Sequence, residues 1–151
     1  MSEQSSPPGV PQASLQLAYP VRGLDFSSAG EAAGRIKRAL QQIGVPSAVI
    51  RRAAIVAYEA EMNIVIHARQ GTLRASISPG RIELIAEDEG PGIADIEQAM
   101  QEGFSTAPDH IREMGFGAGM GLSNIKRCSS QMTIVSDVGR GTKVTAILTG
   151  W

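Results

Sequence analysis

The 151-residue sequence has little cysteine, little histidine and few aromatic side chains. Its one cysteine, Cys128, excludes an internal disulfide, and with two histidines the chain has no ligand set of the kind that binds zinc. No apolar run approaches the roughly 20 residues of a membrane-spanning helix, and the first residues do not form a signal-peptide pattern. These absences exclude a disulfide scaffold, a zinc site and a membrane span, and we expect the chain in the cytoplasm.

An excess of charge of one sign is also absent. The sequence has 14 Lys and Arg against 15 Asp and Glu, which gives a net charge of -1. Neither nucleic acid nor an anionic membrane surface is therefore expected as a partner. Hydrophobic content of 42% is typical of a globular protein, and the length suits one domain with its own core. We expect residues 1–13, rich in Ser, Pro and Gln, to be a disordered tail, and residues 14–151 to be the folded domain.

The N-terminal half of that domain reads as a strand followed by two helices. Alternating apolar residues predict a strand at Leu15–Tyr19, and the spacing of Ser28 and Glu31 predicts a capping box at the start of a helix. After the turn Gly44-Val-Pro46-Ser47, a second helix is predicted to run to about Ala68. It is apolar on most sides, so it should be central and buried.

The C-terminal half alternates between strands and short helices. The predicted elements are strands 73–77 and 82–86 joined by a turn at 78–80, a short helix 96–100, a mobile lid over 101–116, a helix 119–129, and strands 132–136 and 142–148 joined by a turn. The overall prediction is a single domain of the α+β class. It is a two-layer sandwich with a mixed, mostly antiparallel sheet and helices on one face.

The second helix carries a polar pair, Glu59 and Asn63, four residues apart and therefore on one face. The Asn63 carboxamide oxygen suits Mg²⁺, and Glu59 beside it is placed to accept a proton from a hydroxyl or water. Two polar residues on the wet side of a helix are the plain alternative, although the surrounding turns are apolar. We expect Glu61 to point elsewhere into solvent, and His67 to be structural.

A second group of residues suits the recognition of a purine base. Asp88 follows a predicted strand and precedes Gly90 and Gly92. Its carboxylate can accept a hydrogen bond from an exocyclic amine such as that of adenine, and the glycines allow the backbone to approach the ring. Thr142, after Gly141, either adds a hydroxyl near the base or packs in its strand. An ordinary acidic turn remains the alternative for this segment.

A glycine-rich stretch stands immediately before the last helix. Gly115, Gly117, Gly119 and Gly121 alternate, and Leu122 then opens the helix. Successive backbone N–H groups and the positive end of a helix form a phosphate site. The stretch is neither a Walker P-loop nor a dinucleotide fingerprint, and a flexible linker is the alternative.

Taken in order, these three segments resemble the N box and the two glycine boxes of the Bergerat-fold ATP-binding superfamily, which includes gyrase, Hsp90, histidine kinases and MutL. The resemblance covers about residues 15–150 and implies ATP and Mg²⁺ as cofactors. It also implies roles for individual residues: Glu59 activates the substrate hydroxyl, Asn63 holds the metal, and Asp88 binds adenine. The amino-acid sequences of these segments are most similar to those of the bacterial anti-sigma and switch serine kinases, the RsbW, SpoIIAB and RsbT group.

That resemblance implies a protein serine/threonine kinase acting on a STAS-domain protein, either an anti-sigma antagonist or a stressosome scaffold, in a partner-switching circuit. A sigma factor or a PP2C-type phosphatase is a further partner it suggests, and a homodimer through the sheet or the first helix follows by analogy alone. The alternative function is that of an anti-sigma factor, which sequesters a sigma factor with an affinity that nucleotide binding adjusts. A third reading, ATP hydrolysis without a protein substrate, has no supporting feature in the sequence.

Overall fold

The structure is a computed structural model, and it describes residues 15–101 and 121–151. The predictions for the tail at 1–13, for nearly all of the lid, and for Gly115, Gly117 and Gly119 lie outside the described residues. The described elements are β1 (Leu15–Arg22), α1 (Glu31–Gln42), α2 (Ser47–His67), β2 (Gln70–Ser78), β3 (Arg81–Glu89), α3 (Ile96–Ala99), α4 (Gly121–Cys128), β4 (Gln131–Asp137) and β5 (Gly141–Thr149).

The strands form one five-stranded sheet in the order β1-β2-β3-β5-β4. Each neighbouring pair is antiparallel, and two of the four pairs, β2–β3 and β4–β5, are the predicted hairpins. The sheet of the described strands is therefore antiparallel throughout and not mixed. β1 continues past its predicted end at Tyr19 to Arg22 and includes Pro20. A proline is tolerated there because β1 is an edge strand with one side free of ladder hydrogen bonds.

The helices cover one face of the sheet, which confirms the predicted α+β two-layer sandwich. Inward-facing residues of the strands, such as Leu73, Leu84 and Leu148, are buried beneath α2. α2 is the central helix, as its apolar pattern predicted, and eleven of its 21 residues are buried. The opposite face of the sheet is largely polar and carries the exposed ion pair of Arg74 with Glu87 at 2.9 Å.

The start of α1 differs from the prediction, because no capping box forms there. The N-cap residue is Gly30, in the left-handed conformation at φ +92°, and it has no side chain to offer the helix. The exposed N–H groups of the first turn still need acceptors. Glu61 of α2 supplies them: its carboxylate accepts hydrogen bonds from the backbone N–H groups of Gly30 at 2.9 Å and Ala33 at 2.8 Å, with a longer contact of 3.4 Å to that of Ala32.

The expectation that Glu61 is solvated is therefore wrong. The residue is only 2% exposed. Its burial is compensated by these hydrogen bonds from the N–H groups of α1 and by the positive end of that helix. A contact between residues about thirty positions apart could not be read from the spacing within α2.

Within the described ranges 15–101 and 121–151, no helix has both the length and the apolar character needed to cross a membrane.

Candidate functional site

The polar pair of α2 lies against the first turn of α4. Glu59 and Asn63 are both half-buried, one helical turn apart. At Gly121, a Cβ atom would lie 3.1 Å from Glu59 Oε2 and 3.1 Å from Asn63 Oδ1. The side chain of Asn124, one turn further along α4, forms a hydrogen bond with Glu59. The start of α4 thus approaches the pair closely, and glycine is the residue that permits this approach.

The electrostatic setting of Glu59 suits a proton acceptor. Burial raises the pKa of the Glu59 carboxyl, and the hydrogen bond from Asn124 opposes that rise. A higher pKa makes a carboxylate a stronger base. Unlike Glu61, Glu59 has no bonds to backbone N–H groups among those recorded for the described residues.

The same pair fits a magnesium ion better than a metal that needs a full protein cage. Mg²⁺ prefers oxygen donors and commonly takes one or two from the protein, with waters and phosphate oxygens completing its shell. Asn63 offers a carboxamide oxygen beside the Glu59 carboxylate. Among residues 15–101 and 121–151, no cluster of three or more His, Cys, Asp or Glu side chains could hold a metal.

A second polar centre is built around Asp88 at the end of β3. Its Oδ1 accepts a hydrogen bond from the backbone N–H of Thr142 at 3.2 Å. Burial raises the pKa of the Asp88 carboxyl, and the Thr142 hydrogen bond acts in the opposite direction. Gly141 has φ +153°, and a Cβ atom there would collide with the backbone carbonyl oxygen of Asp88. The β3 and β5 backbones therefore meet at this point more closely than any other residue would permit.

The loop that follows Asp88 is fastened to the turn between β4 and β5. The backbone N–H of Gly139 donates to the Pro91 carbonyl oxygen at 2.8 Å, and the backbone N–H of Ile93 donates to Ser136 Oγ at 2.7 Å. Gly92 has φ +76°, and a Cβ atom there would meet the carbonyl oxygen of Asp137. The predicted requirement for glycine at this position is therefore met by both conformation and space.

The two centres lie along the same helix. Beyond Asn63, the Ile64 side chain reaches over Gly71, which is paired with Asp88 across β2 and β3. At Gly90, a Cβ atom would lie 3.1 Å from both the Ala68 Cα and Asp88 Oδ1. From Glu59 to His67, the last residue of α2, the helix rises about 12 Å. The structure thus places the Glu59–Asn63 pair and the Asp88 carboxylate at two points along α2, at a spacing that suits an extended nucleotide.

The structure brings most of the sequence-predicted site residues into these two centres. Glu59, Asn63 and Gly121 form one, and Asp88, Gly90, Gly92 and Thr142 form the other. Leu122 is half-buried and packs against the core. The sequence interpretation missed three contributors, which are Asn124, Ser136 and the close approach at Gly141. Only Asn124 carried a signal, since it stands one helical turn after Gly121.

Comparison with known proteins identifies the class. Residues 48–149 match the family described as histidine kinase-, DNA gyrase B- and HSP90-like ATPase. The match covers more than half of the chain, and the chain belongs to this family. Membership of a family of ATPases implies that the chain uses ATP.

Two known proteins are similar to this chain in amino-acid sequence. The serine/threonine-protein kinase RsbT of Bacillus subtilis is 36% identical over 93 residues, which are 59% of this chain and 64% of the relative. The anti-sigma F factor of Halalkalibacterium halodurans is 36% identical over 95 residues, 59% of this chain and 62% of the relative. The matched part therefore spans less than two thirds of each relative.

Two solved structures share the fold. The SiaB-SiaC complex from Pseudomonas aeruginosa includes a chain that superposes with a TM-score of 0.61 at 15% identity, covering 87% of this chain and 88% of the other. The RsbU and RsbW domains of a Mycobacterium tuberculosis protein superpose with a TM-score of 0.59 at 15% identity, covering 90% of this chain and 32% of the other. At this identity the likeness concerns the fold alone.

Proposed function

We propose that this protein is an ATP- and Mg²⁺-dependent protein serine/threonine kinase that phosphorylates a STAS-domain partner in a partner-switching circuit. The observation that carries the proposal is the Glu59–Asn63 pair lying against the first turn of α4 at Gly121. The similarity to a protein named a serine/threonine-protein kinase supports it. In this proposal residues 14–151 form the ATP-binding domain.

The nucleotide is held by groups at both centres. Asp88 accepts the exocyclic amine of adenine, while Gly90 and Gly92 let the backbone approach the ring. Gly121 and Leu122 open α4, whose N-terminal N–H groups face the phosphates. Gly115, Gly117 and Gly119 are proposed as phosphate-binding residues from the sequence alone.

Transfer is assigned to the pair on α2. Asn63 would hold Mg²⁺, which neutralises phosphate charge when bound. Glu59 takes the proton of the substrate hydroxyl as that oxygen forms a bond to the γ-phosphorus. The bond from the γ-phosphorus to its bridging oxygen breaks, and ADP leaves. The raised pKa of Glu59 favours this proton transfer.

A second candidate function is sequestration of a sigma factor, with nucleotide binding tuning the interaction. It is favoured by the similarity to proteins named anti-sigma F factor. The two functions are compatible, since the site described here concerns the nucleotide and a sigma factor would engage the surface.

Transfer of labelled γ-phosphate from Mg-ATP to a STAS-domain protein encoded beside this one tests the proposal. We expect acid-stable label on the STAS protein, and a decrease of about 10²-fold or more with Glu59→Gln, because a general base is lost while the side-chain shape is kept. Nucleotide affinity, measured by calorimetry, should change little.

Glu31→Gln makes the same chemical change at an exposed position of α1 and should transfer normally. Equal loss of affinity and transfer in Glu59→Gln would remove Glu59 from the catalytic role. Tight ATP binding without any transfer by the unmodified protein would favour the sigma-sequestering function.

A further inference from the structure

A serine outside the predicted site connects three parts of the Asp88 centre. Ser136 is the second-last residue of β4, and its side chain is half-buried on the helix-covered face of the sheet. Its Oγ accepts the backbone N–H of Ile93 at 2.7 Å. It also lies 3.2 Å from the Gly141 carbonyl oxygen and 2.8 Å from Thr142 Oγ1. One hydroxyl thus contacts the loop after Asp88 and the start of β5.

The chemistry of these partners favours one direction for each hydrogen bond. A serine hydroxyl has one proton to donate and two lone pairs with which to accept. The Ile93 N–H only donates and the Gly141 carbonyl oxygen only accepts, so Ser136 gives its proton to Gly141. All three contacts are satisfied when Thr142 Oγ1 donates its proton to Ser136. If Ser136 donated its proton to Thr142 instead, the Ser136 oxygen and the Gly141 carbonyl oxygen would face each other at 3.2 Å with no proton between them.

This assignment determines what Thr142 offers to a ligand. With its proton directed at Ser136, the Thr142 oxygen has only lone pairs left. Beside it, Asp88 Oδ1 accepts a hydrogen bond from the Thr142 backbone N–H. The other carboxylate oxygen, Oδ2, forms no hydrogen bond within the described part of the chain. The Asp88 centre therefore presents acceptors to a bound base. An amino group satisfies two neighbouring acceptors, whereas a carbonyl oxygen is repelled by them.

We propose that Ser136 is a positioning residue that sets the hydrogen-bond polarity of the Asp88 centre, so that the site takes 6-aminopurine nucleotides and rejects 6-oxopurine nucleotides. This inference rests on the proposed function, in which Asp88 contacts the base. Ser136 acts through Thr142 and through the loop at Ile93 and need not touch the nucleotide.

The test compares ADP with IDP. In IDP an oxo group replaces the 6-amino group and the neighbouring N1 carries a proton, and neither nucleotide undergoes phosphoryl transfer here. Calorimetry would give both affinities for the unmodified protein and for Ser136→Ala. We expect the unmodified protein to prefer ADP. Ser136→Ala should lower the ADP-to-IDP affinity ratio by about tenfold, the effect of one hydrogen bond to a well-placed acceptor. Freed of its partner, the Thr142 hydroxyl can turn and donate to an oxo group.

Ser130→Ala is the matched control. Ser130 also accepts a backbone N–H, that of Thr149 at 3.0 Å, but at the other end of the β4–β5 hairpin. Ser130→Ala should therefore leave the ADP-to-IDP affinity ratio unchanged. Thr142→Val should lower the ADP-to-IDP affinity ratio as Ser136→Ala does. In the double variant the ratio should fall no further than in the more affected single variant, because both substitutions act through the Thr142 hydroxyl.

Each outcome bears on a separate claim. An equal fall in ADP and IDP affinity, or an unchanged ratio in Ser136→Ala, would overturn the positioning role even if that variant were less stable. Additive losses in the double variant would also contradict it. Failure of the unmodified protein to bind ADP would instead remove the proposed function, and this inference with it.

Discussion

At the scale of single residues, the site is built at the expense of stability. Glu59 and Asp88 are half-buried carboxylates, and burial raises the pKa of both. A carboxyl group with a higher pKa in the folded chain binds its proton more tightly there than in the unfolded chain. Folding stability therefore falls as pH rises from the ordinary pKa to the raised one, and the destabilisation is complete above that window.

Glu59→Gln should consequently raise the melting temperature of the nucleotide-free protein at pH 7. The gain should shrink as pH falls through the raised pKa and disappear below the ordinary value of 4.5. Thermal unfolding of both proteins across pH 4–8 would measure this. Burial lowers the pKa of His67, which gives an opposite pH dependence below 6.5, but it is common to both proteins and cancels in the difference. A gain of the same size at every pH would contradict this account.

The close approach of β3 and β5 gives a second prediction, for Gly141→Ala. A Cβ atom would meet the Asp88 carbonyl oxygen and adopt φ +153°, so we expect a loss of at least about 3 kcal/mol of unfolding free energy, with weaker ATP binding. Gly139, in the turn that precedes β5, has φ +83° and open space around it. Gly139→Ala should lose about 1 kcal/mol and keep its ATP affinity. Urea unfolding and calorimetry would compare them, and equal losses would show that space at Gly141 is unimportant.

At the scale of elements, the N-terminus of α1 depends on α2. Glu61→Ala would remove the acceptor of its first N–H groups, and we expect a loss of about 3 kcal/mol of unfolding free energy. Glu61→Gln keeps one acceptor oxygen and should lose less. Glu31→Ala, in the exposed first turn of α1, should change stability by less than about 0.5 kcal/mol. Denaturant unfolding would measure all three, and a small loss for Glu61→Ala would show that water replaces the cap.

Most patterns within one element were read correctly from the sequence, with the capping box at the start of α1 as the exception, and contacts between elements were not. The apolar character of α2 and the turns at Gly80 and Gly139 are local signals, and they predicted the central helix and both hairpins. The Glu61 cap, the Asn124 hydrogen bond to Glu59 and the Ser136 contact with Ile93 join residues that are distant in the chain. Short polar residues such as serine and asparagine suit so many roles that only the folded arrangement distinguishes them.

At the scale of the whole molecule, nucleotide binding and folding are linked. Because both centres exist only in the folded chain, ATP at about a hundred times its dissociation constant should add about 2.7 kcal/mol to the apparent unfolding free energy. Asp88→Asn replaces an acceptor with a group that also donates, so this variant should bind ATP more weakly. At the same ATP concentration its apparent unfolding free energy should therefore increase by less. Thermal shifts with calorimetry would show this, with the exposed Asp137→Asn as control. An undiminished gain in Asp88→Asn would rule out the adenine contact.

The sheet itself has a consequence for how ligand preference can change. Gly71, Asp88, Thr142 and Ser136 occupy successive strands β2, β3, β5 and β4 in one transverse row, on the face that the helices cover. Neighbouring strands stand about 4.8 Å apart, a spacing that their backbone ladders maintain. In the proposed site, the groups that face the base therefore stand at fixed spacings. A new base preference would then come from exchanging side chains at these fixed positions.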